Sequence, residues 1–313
     1  MTEQTPPTGL HAQLHAELVA VLVAVNQGQP RVLTTQGGDA LPAGPFQMVH
    51  RSLQAGLRAW VEQQTAHSLG YVEQLYTFAD REREEAAHVL SISYLGLTCE
   101  PEYTPQADTR WLDWYSYFPW EDGREGVPPL VTDTIAPHLH AWIAEAEHPA
   151  LRQARRARVA VNFGLYGQPW NEDLVLQRYE TLFEAGMVQE AVRRGVPQRS
   201  LLPGRAMAHD HRRILATGIA RLRAKIKYRP VVFELMPEAF TLLQLQHTVE
   251  ALAGRKLHKQ NFRRLIEQQA LVEETGMMTA GAAGRPAKLF RFRQDVLLER
   301  ATAGSKLPLA RGA

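Results

Sequence analysis

The apolar positions of this chain change their spacing from one segment to the next, and the spacing predicts the elements. Leu18 to Val25 is an almost unbroken apolar run and Arg31 to Thr35 a shorter one, and the Gln27-Gly28-Gln29-Pro30 between them is turn-forming. Tyr71 to Phe78 and Val89 to Thr98 read as two further strands. Between the pairs, Leu53, Leu57, Trp60 and Val61 recur at helical spacing and predict an amphipathic helix ending near Gln64. Strand, strand, loop, helix, strand, strand is an α+β order, and Asp80 to Ala86, dense in Arg and Glu, suits a solvated connection.

From Glu100 to about Ala150 the chain is punctuated by proline and holds Trp111, Trp114, Tyr115, Tyr117, Phe118 and Trp120. So many large rings must be buried or must bind something, and burial is the expectation. Helices are predicted at Asn171 to Gln189 and at Asp210 to Lys227, with a short strand at Val231 to Leu235 after Pro230. The second helix carries Arg212, Arg213, Arg221, Arg223, Lys225 and Lys227, and serves as the first helix of a C-terminal module or as the connector to it.

Phe240 to Arg293 has a pattern of its own. Leu242, Leu245, Val249 and Leu252 form one helical stripe from a Thr241 cap to Ala253, and Gly254 ends it. A second helix, about His258 to Gln269, places Phe262, Leu265 and Ile266 on one face and turns Gln260, Arg264 and Glu267 the other way, with Lys259, Asn261 and Arg263 on the shoulders. Leu271 and Val272 begin an extended segment, Gly284-Arg285-Pro286 makes a tight turn, and Leu289 to Arg293 alternates apolar with basic residues as a half-exposed strand does. Together these are the parts of a winged helix-turn-helix, which points to duplex DNA.

Charge agrees with that pattern. Between Gly254 and Arg293 nine cations face three acids, a local excess of six; the chain as a whole is +2, so the remainder carries −4. A Lys/Arg-rich helix alone is usually a solvated face, but that reading leaves the basic hairpin unexplained. The residues expected at DNA are Lys256, Lys259, Gln260, Asn261, Arg263, Arg264, Arg285 and Lys288. Lys259, Arg263 and Arg285 suit phosphates, and Gln260, Asn261 and Arg264 suit base edges.

Length and a 45% hydrophobic content allow two or three ordinary domains. Leu18 to Val25 is too short to span a bilayer and lacks a cationic leader, so no membrane partner is expected. Cys99, the single cysteine, excludes a disulfide framework and makes a cytoplasmic location the default; at the end of an apolar strand it is expected in the core. His209 and His211 flank Asp210, but without further nearby ligands Asp210 is expected to cap the following helix, and no metal site is assigned. No nucleophile-base arrangement stands out, so no catalytic residue is assigned.

Gly44 to Ala66 can be laid without gaps on the Nudix box, G-x5-E-x7-R-E-U-x-E-E-x-G-U with U apolar: Arg58 falls on the arginine, Trp60 on an apolar position and Glu62 on the first paired glutamate. His50, Ala59 and Gln63 stand where the box has its other glutamates, and Thr65 where it closes with glycine. Magnesium chemistry on a diphosphate needs that carboxylate cluster. The reading is therefore a Nudix-like fold that does not hydrolyse, unless Glu82, Glu84 or Glu85 supplies the missing carboxylates.

The chain as a whole resembles the Nudix-related transcriptional regulators of NAD metabolism, most closely the NadQ group of alphaproteobacterial NAD-biosynthesis repressors. The resemblance rests on Leu41-Pro42-Ala43-Gly44-Pro45-Phe46, Gly70 to Phe78, Asp113 to Asp122, Asp210 to Leu242, and Leu257 to Arg264 with Gly284-Arg285-Pro286. It implies an α+β chain with a degenerate Nudix-like effector-sensing domain over 10–150, a helical connector over 151–208 and a winged helix-turn-helix over 209–303. It further implies a cytoplasmic homodimer that represses NAD-biosynthesis genes on double-stranded operator DNA, tuned by a nucleotide effector (ATP, NAD or ADP-ribose). By similarity Lys259, Asn261, Phe262, Arg263 and Arg264 match the recognition-helix motif, with Phe262 in the core, and Arg285 matches the wing. Arg58 and Glu62 carry over as effector-binding residues, against the alternative that they form an i,i+4 pair within their own helix. The competing reading is a Nudix pyrophosphatase acting on ADP-ribose or NAD with an accessory nucleic-acid module, and a third is a protein-interaction winged helix.

Overall fold

A computed structural model describes residues 14–65, 69–78, 88–99, 108–279, 286–293 and 295. The first apolar run forms β1 (Leu14–Asn26), which turns into antiparallel β2 (Gln29–Thr34). β3 (Ala43–Pro45) pairs with the first half of β1, α1 (Leu53–Thr65) follows, and β4 (Tyr71–Phe78) and β5 (His88–Leu97) make the second antiparallel pair. β5 runs parallel to β1, and β6 (Arg110–Asp113) pairs with β2, so the mixed sheet has the order β4-β5-β1-β2-β6 with β3 beside β1.

Side chains alternate across a strand. Leu18, Ala20, Leu22 and Ala24 of β1 therefore pack on one face with Leu57 and Val61 of α1, while Val19, Val21 and Val23 enter the main core on the other. A strand buried on both faces has no polar alternation, which is why it reads as a continuous apolar run. The large rings pack where burial was expected: Trp114, Tyr115, Tyr117, Phe118 and Trp120 are all buried in the main core, in and beside 3-10 turns at Trp114–Ser116 and Pro119–Glu121.

A π-helical turn at Val131–Ile135 leads into α2 (Ala136–Ala144), and α3 (Pro149–Phe163) follows. The helix expected over Asn171 to Gln189 is shorter, α4 (Val175–Glu184), because Gly186 adopts φ 68° and turns the chain out of helical geometry; α5 (Gln189–Arg193) begins only where the expected helix was to end. α6 (His211–Lys225) packs Ile214, Leu215, Ile219 and Leu222 into the main core, against α4 and the sheet. Four of its cations pair with acids: Arg212 with Glu190 at 3.1 Å, Arg213 with Glu180 at 2.5 Å, Arg223 with Glu121 at 2.7 Å, and Lys225 with Glu73, while Arg221 is exposed. Asp210 does not cap α6; its carboxylate is drawn instead to Arg194 at 2.8 Å. Cys99 lies just beyond the end of β5 and is exposed, not in the core.

Val231–Leu235 is a 3-10 helix and not a strand. Its Val-Val pair has strand composition, but Val231, Val232 and Leu235 all reach the core from a single helical turn. α7 (Leu242–Ala253), α8 (Lys259–Gln268) and the antiparallel β7 (Val272–Met278) and β8 (Lys288–Phe292) complete the chain's C-terminal unit. Phe240 exchanges two backbone hydrogen bonds with Phe290, at 2.9 and 2.8 Å, and Phe233 stacks on Phe292 with centroids 4.4 Å apart, so the hairpin is tied to the helices. Gly284 and Arg285, expected in the turn of the wing, and Glu82, Glu84 and Glu85 with the rest of Asp80 to Ala86, lie outside the described residues. Among the described residues no helix is long and apolar enough to cross a membrane.

Candidate nucleic-acid interface

α7 is fixed at both ends by local chemistry. Thr241 Oγ1 accepts from the Gln244 N–H at 3.1 Å while Gln244 Oε1 accepts from the Thr241 N–H at 2.7 Å, a reciprocal capping box. At the far end Gly254 takes φ 68° and its N–H donates to Glu250 O at 2.9 Å. The turn into α8 is built by two buried polar side chains: Glu250 Oε1 accepts from the Leu257 N–H at 2.9 Å, and Gln246 Nε2 donates both to Glu250 at 2.8 Å and to Leu257 O at 3.0 Å. Sequence reading missed this pair, although the i,i+4 spacing of Gln246 and Glu250 on a buried helix was its signal.

α8 is anchored mainly by Phe262, which is buried, with Ile266 half-buried behind it. Leu265, expected on the same face, is 50% exposed: α8 touches the domain along a narrow stripe, and Leu265 lies off it. Lys259, Gln260, Asn261, Arg263 and Arg264 are all exposed. Among the described residues, Lys259, Arg263 and Arg264 have no ion-pair partner, so with Glu267 the helix keeps a net positive charge. No side chain caps its first turn, which leaves backbone amides directed outward there.

The neighbouring cations are engaged differently. Lys256 lies 3.5 Å from Glu125, and Lys288 pairs with Glu274 across the hairpin at 2.8 Å, as Arg291 does with Glu273 at 2.6 Å. Exposed pairs of this kind are worth about 0–1 kcal/mol each, small enough for a phosphate to displace the carboxylate.

The C-terminal end of α7 is clasped by the front of the molecule. Tyr115 Oη donates to Ala251 O at 2.8 Å, and Arg223 Nε donates to Leu252 O at 2.9 Å while its NH1 donates to Glu121 at 2.7 Å. Arg178 donates to both oxygens of the same Glu121 at 2.6 and 2.8 Å. Burial pushes the Glu121 carboxyl up, but Arg178 and Arg223 outweigh it and hold it below the ordinary carboxylate range. The second cation, Arg223, is stabilised by backbone carbonyls, among them Leu252 O at the C-terminal end of α7, where the macrodipole is negative, and Glu172 O. Arg223 lies on the apolar stripe of α6 with Leu215 and Ile219, and a charge in that position was the sequence signal for a buried pair.

On the Nudix-box segment, Arg58 does not pair with Glu62. Its guanidinium donates to Leu69 O and, at 3.1 Å, to Gly70 O, tying α1 to the approach to β4. Trp60 Nε1 donates to Pro45 O at 2.8 Å and Gln64 Nε2 to Ala43 O at 2.7 Å, so neutral side chains close the face of α1 onto β3. Glu62 is exposed, and among the described residues no group of three or more His, Cys, Asp or Glu is placed to hold a metal ion.

Residues 232–292 match the NrtR DNA-binding winged helix domain. The ADPR responsive transcriptional repressor NtrR of Acinetobacter baylyi is 41% identical over 86 residues, 28% of this chain and 34% of that protein, so the match spans about a third of the relative's length. The crystal structure of Shewanella oneidensis NrtR complexed with a 27mer DNA superposes with a TM-score of 0.54 at 20% identity, covering 90% of this chain and 94% of that one. A MutT/nudix family protein from Enterococcus faecalis gives a TM-score of 0.53 at 15% identity, covering 93% and 90%. The chain thus shares the α+β fold of NrtR, with a Nudix-like fold in front followed by helices, and its residues 232–292 match the NrtR winged helix domain.

Proposed function

We propose that this chain is a ligand-controlled transcriptional repressor whose winged helix holds operator DNA and whose Nudix-like front binds a nucleotide without cleaving it. The observation that carries the reading is α8: a helix anchored by Phe262, with Lys259, Arg263 and Arg264 facing outward. In this reading Lys259 and Arg263 hold phosphates, Gln260, Asn261 and Arg264 read bases, and Lys256, Lys288 and Arg285 flank the duplex. The winged module begins near Val231, and α6 belongs with the front domain into which it packs. ADP-ribose is the first effector to test, since a relative is named for responding to it, with ATP and NAD after it. Two copies on a two-fold operator and NAD-biosynthesis genes as targets complete the proposal.

The pyrophosphatase alternative lacks carboxylates: His50, Ala59 and Gln63 replace box acids and Glu62 faces solvent. The experiment is a titration of the full chain against promoter fragments of NAD-biosynthesis genes at fixed salt, repeated with ATP, NAD and ADP-ribose. Preference for one fragment over scrambled DNA, altered by a nucleotide, is expected. Equal affinity for every fragment, together with magnesium-dependent hydrolysis of ADP-ribose, would sink the proposal.

A further inference from the structure

A cleft of about 400 Å³ lies where the end of β2, the start of β3, the end of α1 and the residues entering α6 meet, lined by Glu17, Gln36, Gln64, Asp108, His209 and His211 among others. Its floor holds an unusual group. His211 is 5% exposed, and its Nδ1 accepts from the Leu41 N–H at 2.9 Å. That bond fixes the proton of the neutral ring on Nε2, and the buried Nε2–H has no acceptor. Burial, with His209 adding to it, pushes the imidazole pKa down to about 4, so the ring stays neutral near pH 7. A buried donor without a partner costs about 1–3 kcal/mol, and a ligand acceptor is what would relieve it. Two of the lining residues, Gln36 (φ 52°) and His209 (φ 46°), hold left-handed backbone although neither is glycine; strained backbone of that sort gathers at ligand sites.

The chemistry of the cleft restricts its occupant. The carboxylates of Glu17 and Asp108 with a neutral histidine repel phosphate and accept from hydroxyls. Asp108 Oδ2 already accepts from the Gln36 N–H at 3.2 Å, which holds the carboxylate at the cleft edge. We propose that this cleft seats the ribonucleoside part of the effector, its vicinal hydroxyls donating to Glu17 and Asp108 and a carbonyl or ring nitrogen accepting from His211 Nε2. The phosphates then extend out of the cleft. This deepens the effector half of the proposed function and rests on it.

Calorimetric titration of the full chain with ADP-ribose, with adenosine and inorganic pyrophosphate as competitors, tests the assignment. ADP-ribose is expected to bind, adenosine to compete and pyrophosphate not to. Asp108→Ala and Glu17→Gln should each weaken ADP-ribose by about tenfold, the loss of one hydrogen bond to a charged group. In histidine-labelled protein the His211 Nε2–H resonance should move on saturation, a readout that needs no variant to fold. Competition by pyrophosphate and not by adenosine, unchanged affinity in both variants, an unmoved His211 signal, or no binding of ADP-ribose each overturns the cleft. Promoter binding by the unliganded chain is read separately, so loss of the repressor reading is distinguishable.

Discussion

At the scale of single residues, the proposed repressor assigns the cations of α8 different jobs. A guanidinium that reads a guanine edge contributes about 1–3 kcal/mol of discrimination, so Arg264→Ala should flatten the difference between operator and point-altered operator while leaving non-specific binding nearly intact. Lys259→Ala should instead weaken all duplexes alike and lower the salt slope of log affinity by about 1. Competition titrations at several salt concentrations separate the two, and an identical effect of both changes contradicts the division. His211 makes a different prediction. Its folded pKa of about 4 lies below the ordinary 6.5, so between those values the unfolded chain binds more protons. The group's contribution is fully present above pH 6.5 and is lost as pH falls toward 4, about 3 kcal/mol in all. Denaturant midpoints across that window should fall with acid in the native chain and fall less in His211→Gln. The sequence showed the two histidines but not their role, because the acceptor for Leu41 N–H is set by a contact between positions 170 residues apart.

At the scale of elements, what was legible is what local chemistry decides. α7 ran from its Thr241 cap to Gly254 as read, since capping and a positive φ are properties of a few adjacent residues. β4 and β5 followed from composition and turn signals. Long-range partners escaped. The sequence showed the cations of α6 but not their partners: Arg212, Arg213, Arg223 and Lys225 turn to acids at Glu190, Glu180, Glu121 and Glu73, two of them more than a hundred residues away. Val231–Leu235 read as a strand on composition, but a strand needs an edge to join. Gly254 is where local and tertiary demands coincide: besides its φ of 68°, a Cβ there would meet Glu121 O at 2.5 Å and Arg223 NH2 at 2.7 Å. Gly254→Ala should therefore destabilise by more than the ~1 kcal/mol of a helix-end glycine alone, and a denaturation curve shifted by less would mean that the clasp relaxes around a methyl group.

At the scale of the molecule, the question is how a cleft at the sheet can alter a helix on DNA. A ligand shifts DNA binding only if the two sites share an element with two arrangements. The C-terminal end of α7 is placed to be that element: Tyr115 and Arg223 hold the carbonyls of Ala251 and Leu252, and just before them Gln246 and Glu250 fix the turn that sets α8. α6 carries both ends of the path, with His211 in the cleft at its start and Arg223 in the clasp near its end. Tyr115→Phe removes one hydrogen bond of the clasp and touches neither the cleft nor α8. Operator affinity without nucleotide should change little, and ADP-ribose affinity should stay put. The factor by which ADP-ribose changes operator affinity should shrink about fivefold, the equivalent of a single hydrogen bond of ~1 kcal/mol. The measurement is the ratio of operator Kd with and without saturating ADP-ribose. A ratio equal to that of the native chain would mean that the signal reaches α8 by a route that bypasses α7.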